Sequence, residues 1–297
     1  MNMQEMNAYV LLAITLLLGL VYAILRNQYS KNVATRPSDH YSFISLSSLV
    51  TAIVLILISG GVCHPSLFTI ALGVGFGLLT VIASVSNLLA LSIGPMSYTT
   101  VIATSSMIIP AMSGQVFWGE PVSVRQYVGI FLILVSLILS VDKEANEKGS
   151  SLRWLALCLV CFVATGMVGI AQKIHQSSAY RHELSEFLVI AFAVSTVLSL
   201  GVYRIYERRG QASGFISSIR KPGALLLAVA TGVCFAVVNQ INLYLAGAME
   251  SSVFFPIVNG GGLLLATISA IVIFGERLNR KRTYGLVIGL VGVALLL

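Results

Sequence analysis

Asn239 and Asn242 lie three residues apart in the apolar stretch CFAVVNQINLYL, a spacing that puts both amides on one face of a helix. An amide in hydrocarbon needs a hydrogen-bond partner, which is substrate, water or a neighbouring helix. Ser84 and Asn87 hold the equivalent places in an earlier apolar stretch. Asn259 stands beside Gly260, Gly261 and Gly262 in FFPIVNGGGLLLA. There Pro256 removes one backbone hydrogen bond and the glycines weaken the helix further. VIATSSMIIP brings Thr104, Ser105 and Ser106 to the matching part of another stretch. Such groups can hold a small polar molecule. Gln240, between the two asparagines, points elsewhere and reads as a bond to another helix.

The set lacks a catalytic pattern. His40, His64, His175 and His182 fall in loops or at helix ends, no HExxH occurs, and no Asp or Glu lies in the middle of an apolar run. An enzyme is therefore not expected, and neither a metal nor a cofactor is. Glu120 and Glu276 end apolar runs and read as loop anchors. A buried carboxylate proton relay is therefore not expected. Cys158 and Cys161 form a CxxC inside an apolar run, which reads as helix packing rather than a metal or redox site.

These residues need a scaffold that hides them from lipid. Of the 297 residues, 57% are apolar and 10% charged, against about 25% charged in soluble proteins. The chain is expected to be integral to a membrane, and its net charge of +7 reflects topology rather than nucleic-acid binding. The first apolar run reads as a retained span, not a cleaved leader, because no Lys or Arg precedes Ala8. Ten spans are expected: 8–25, 41–58, 67–91, 97–117, 124–141, 154–172, 186–203, 223–245, 251–274 and 283–297. In lipid each must satisfy its own backbone, so each is a helix.

The chain repeats itself. Gly119-Glu120 returns as Gly275-Glu276, 156 residues on, and Gly129 returns as Gly285. One span earlier the offset is 155, from Gly77 to Gly232 and from Asn87 to Asn242. The expected fold is all-α: ten transmembrane helices as two five-helix repeats, 1–142 and 152–297, joined by a linker at 143–151. Five is odd, so the second repeat enters the membrane from the opposite side. Inverted repeats of this kind place a substrate site near the bilayer midplane, between the halves. Glycines four apart, Gly73/Gly77 and Gly285/Gly289, mark close helix packing.

Two five-helix repeats, each with a GE closing its fourth helix, resemble the EamA-type branch of the drug/metabolite transporter superfamily. The resemblance covers the whole chain. It implies a transporter working by alternating access, with the fifth and tenth helices as a peripheral pair, in a monomer or in a homodimer formed through them. It also implies that the first and sixth helices complete the site, through Tyr22, one turn from Arg26, and Gln172, next to Lys173 with His175 beyond. Arg26 and Lys173 are read as snorkelling to the interface. Tyr98, Phe235 and Trp118 read as lipid or interface contacts, with a cationic headgroup as the other reading. Small multidrug exporters of the superfamily carry a buried acid in their first helix, and this chain has none. The expected cargo is thus a small neutral or zwitterionic metabolite, carried by a facilitator or exchanger. The alternatives are a lipid-linked-sugar flippase or an organic-cation exporter. Fifteen of the 18 Lys and Arg fall on one side, which predicts a multi-pass protein of the cell membrane with both termini outside the cytoplasm.

Overall fold

The computed structural model describes residues 3–61, 64–94, 96–139, 151–212, 214–274 and 280–297. Every regular element among them is helical: α1 (Met3–Asn32), α2 (Pro37–Ser59), α3 (Leu67–Ile93), α4 (Met96–Ser105), α5 (Ile108–Trp118) and α6 (Val124–Leu139), then α7 (Leu152–Gln176), α8 (Leu184–Arg208), α9 (Phe215–Ile219) and α10 (Ala224–Ala248), then α11 (Ser251–Pro256), a π-helical turn (Ile257–Gly261), α12 (Gly262–Phe274) and α13 (Arg280–Leu296). Among the described residues eight helical stretches are long and apolar enough to cross a membrane, which supports a multi-pass membrane protein. At the expected fifth and tenth spans stand two shorter apolar helices, Val124–Leu139 and Thr283–Leu296. Most of the expected linker and the Gly275-Glu276 repeat of the GE motif lie outside the described residues.

Several boundaries differ from the sequence reading. The first helix runs on through RNQYSKN to Asn32, because polar residues end hydrophobicity without ending helix propensity. The fourth span is not continuous: α4 stops at Ser105 and α5 begins at Ile108. The stretch taken as a loop after the seventh span holds the end of α8 and the short α9. His175, expected just beyond a helix, lies in the last turn of α7 and is fully buried.

The chain forms two compact units, and each takes elements from both sequence halves. One comprises Met1–Leu16, Ile82–Ile174 and Leu245–Leu297, the other Leu17–Val81 and His175–Tyr244. In the second unit α2 lies antiparallel on α8. Tyr41 meets Tyr206 with ring centroids 5.4 Å apart, while Ser48 Oγ is 3.3 Å from Ser195 Oγ. Gly77 of α3 presses on α8, where an added Cβ would come 2.5 Å from the Ala191 carbonyl oxygen and 2.9 Å from Val194 Cβ. Gly232 of α10 presses on α2 in the same way, 2.7 Å from the Ser47 oxygen and 2.7 Å from Val50 Cβ. Gly73 sits one turn from Gly77 against Ile190. Only glycine allows such approach of helix backbones.

In the first unit α6 lies antiparallel on α13, as the contacts of Gly129 with Leu296, Ile133 with Gly292, and Ser136 with Gly289 require. α5 and α11 also run antiparallel. A Cβ on Gly114 would meet Ser251 at the start of α11, and one on Gly169 of α7 would meet both Pro110 and Phe255. Cys158 is buried with Ala90 and Trp154, so this half of the CxxC packs a helix contact.

Candidate functional site

In the first unit two helix interruptions lie side by side. Between α4 and α5 the backbone tightens: the N–H of Ser106 donates to Ala103 O at 3.3 Å and that of Met107 to Thr104 O at 3.2 Å. The Ser106 hydroxyl donates to the same Ala103 oxygen at 2.6 Å. Pro110 has no N–H to continue the α pattern. Across from this break is the π-helical turn Ile257–Gly261, which follows Pro256. An added Cβ on Gly260 would lie 3.4 Å from Met107 Sδ and 2.5 Å from Ile133 Cγ2. Gly260 is therefore the seat of a helix contact between the two breaks and α6. An added Cβ on Gly261 would meet Ile257 and Val293 only at ordinary distances.

The π turn presents Asn259. Its amide nitrogen donates to Phe255 O at 3.0 Å, while the side chain remains exposed. Thr104 and Ser105 are half-buried and Ser106 is buried. Asn87 and Ser84, on α3, are half-buried, and the carbonyl oxygen of Asn87 is buried without a hydrogen-bond partner. An amide oxygen in that state calls for a donor. Tyr98 is 36% exposed at the start of α4, and Gln172 is buried on α7.

Next to Gln172 the structure corrects the sequence reading. Lys173 does not snorkel: it is buried, forms an ion pair with Glu120 and donates to Met249 O at 3.3 Å. Glu120 follows Gly119, whose left-handed φ of 63° ends α5. That turn carries the carboxylate across to accept the N–H of Ser251 at 2.7 Å. The GE motif thus ends one helix, holds the first N–H of α11 and neutralises a buried lysine. Nearby, Glu250 accepts from Gln126 Nε2 at 2.8 Å.

In the second unit Tyr22 stacks on Phe235, with centroids 4.5 Å apart and planes 13° from parallel, and Phe192 meets Phe235 edge-on. Both Tyr22 and Phe235 are half-buried. Asn239 is buried and its amide nitrogen donates to Phe235 O at 2.9 Å. Asn242 is half-buried. Gln240 donates to Ser185 Oγ of α8 at 3.0 Å, an interhelical bond as its off-face position implied.

Two acidic anchors were not singled out from the sequence. Asp39 is fully buried at the start of α2 and pairs with Lys221 at 2.6 Å. It also accepts the N–H groups of Thr35 and Arg36. The signal was present in RPSD, with Pro at the first helical turn and an acid three places after the cap. Glu183, just before α8, accepts from Ser66 N at 3.0 Å and Ser66 Oγ at 2.8 Å. Desolvation opposes its ionisation, but the hydrogen bonds from Thr69 and Ser66 prevail and hold its carboxyl below the usual carboxylate range. Each acid at the start of a helix thus ties down a segment distant in sequence.

No protein-family model matches the chain, and no curated protein matches it. Among solved structures, 28 chains match. One, described only as the crystal structure of a protein, superposes with a TM-score of 0.75 over 97% of this chain and 96% of its own. Its sequence identity is 14%, so the likeness is one of fold alone: the chain shares the backbone architecture of that solved structure along nearly its whole length.

Proposed function

We propose that the chain is a ten-helix transporter of a small neutral or zwitterionic metabolite, built as two inverted five-helix repeats. The observation that carries this reading is the pairing of the two helix interruptions. Ser106, in the first, plus the 155-residue repeat offset is Gly261, in the π turn. Irregular backbone at membrane depth is tolerated where protein or water covers it, and discontinuous helices at matching places of two repeats mark transporter substrate sites. The antiparallel packing of α2 on α8, α5 on α11 and α6 on α13 supports inversion, since each pair joins corresponding spans of the two halves. Parallel repeats would leave such pairs running the same way. Asn259 and Asn87 supply hydrogen bonds to the cargo, with Thr104 and Ser105 beside the first break. The absence of a mid-span acid favours movement down the cargo's own gradient.

The test begins with thermal-shift screening of the purified protein against amino acids, nucleobases, sugars and quaternary amines, because a ligand stabilises the state that it binds. A stabilising compound then goes into liposome uptake assays. Uptake should persist without an imposed pH gradient. Asn259→Ala should lower uptake at least tenfold, about 1.4 kcal/mol of lost interaction, and Gln240→Ala should lower it less. Normal uptake by Asn259→Ala alongside failure of Gln240→Ala would place the cargo on another face.

A further inference from the structure

The turn between α8 and α10 is tied down on several sides. Asp39 Oδ2 accepts from Lys221 Nζ at 2.6 Å and from Arg36 N at 2.9 Å, and Asp39 Oδ1 accepts from Ser218 Oγ at 3.3 Å. Tyr203 OH is 3.1 Å from Ser218 Oγ, and Ser38 Oγ donates to Gln211 O at 3.2 Å. These bonds fix the backbone that carries Arg36, Arg208, Arg209 and Arg220. All four side chains are exposed, and among the described residues none of the four has an ion pair. On α9, Ile216 is 66% exposed and stands one helical turn before Arg220. Ile205 near the end of α8, and Leu225 and Leu226 at the start of α10, are also exposed. On α8 and α9 the exposed aliphatic residues give way to arginine within a few positions. That is the pattern expected where hydrocarbon meets headgroups.

We propose that this surface binds anionic phospholipid headgroups. The guanidiniums donate to phosphate oxygens, for which their planar donor fork is suited. Ile216 enters the upper acyl layer as the apolar side of an interfacial helix. The partner is a bilayer lipid rather than a free anion because the cations border exposed aliphatic side chains, which a soluble anion leaves in water. None of these residues is among the polar residues assigned to the cargo.

The experiment incubates the purified full chain in mixed micelles with equal amounts of phosphatidylglycerol and phosphatidylcholine, then counts retained lipids by native mass spectrometry. The parent protein should retain phosphatidylglycerol preferentially. The triple variant Arg208→Gln/Arg209→Gln/Arg220→Gln should lower that preference at least tenfold, given on the order of fivefold for each basic residue near an anionic surface. Arg125→Gln/Arg181→Gln should leave it unchanged. Ile216→Ser should lower retention of both lipids without altering their ratio. Equal retention by the parent, or an undiminished preference in a triple variant that melts like the parent, overturns the proposal. Displacement of the bound lipid by millimolar inorganic phosphate also overturns it, in favour of a free-anion site.

Discussion

Lys173 shows what one side chain can require of its surroundings. A buried ammonium is tolerated only with a partner, and Glu120 is that partner while also holding the first N–H of α11, that of Ser251. Removing one member of a buried pair costs about 3–5 kcal/mol because the other is left charged and alone. Glu120→Gln should therefore lower the melting temperature of the detergent-purified protein strongly. The double variant Glu120→Gln/Lys173→Met should regain much of the loss. A double variant no more stable than the single one would mean that Glu120 matters through Ser251 and Met249 geometry rather than through charge. The sequence marked Glu120 as an anchor, yet it gave Lys173 to the interface. The partner stands 53 positions away, and nothing local in either segment announces the meeting.

At the level of helices, the glycines divide into those that carry packing and those that do not. An added Cβ on Gly77 or Gly232 would strike a backbone oxygen of the neighbouring helix at 2.5 or 2.7 Å, and backbone cannot swing away as a side chain can. Gly77→Ala and Gly232→Ala should each destabilise by about 1–3 kcal/mol, the usual cost of overpacking. Gly75→Ala on the same helix meets nothing within 4 Å and should be neutral or slightly stabilising, given alanine's better helix propensity of about 1 kcal/mol. Melting curves of the three variants decide it, and equal effects would refute the assignment of the two packing glycines. The glycine spacing Gly73/Gly77 was legible because close approach leaves a compositional trace. So was the weak point at Pro256–Gly262. The break at Ser106 and Met107 was less so: VIATSSMII has ordinary helical composition, and it is the neighbouring π turn and Pro110 that accompany its interruption.

For the molecule as a whole, composition and repetition announced a multi-pass helical protein, and the eight long apolar helices accord with them. Cargo is a different matter. It is set by a handful of amides whose hydrogen-bond partners depend on contacts between distant segments, as Gln240 with Ser185 illustrates. Orientation rests on charge asymmetry and can be checked directly. In a background without native cysteines, Ser177→Cys should react with a membrane-impermeant thiol reagent in intact cells, and Ser217→Cys should not. Both positions are exposed, so the reverse pattern would reverse the topology and place the arginine surface around α9 on the outer leaflet.

The π turn has one more meaning, which concerns ancestry. α4 starts at Met96 and α11 at Ser251, 155 positions apart, whereas Gly119 and Gly275 are 156 apart. On the repeat proposed above, the second copy holds one more residue than the first between these two marks. A helix that gains a residue without moving its ends must wind a wider turn somewhere, and a single π turn is that accommodation. On that reading Ile257–Gly261 is where the surplus is kept. On the same reading the two halves differ in length by one residue as well as by substitution, and Asn259 stands in the turn that takes up the difference.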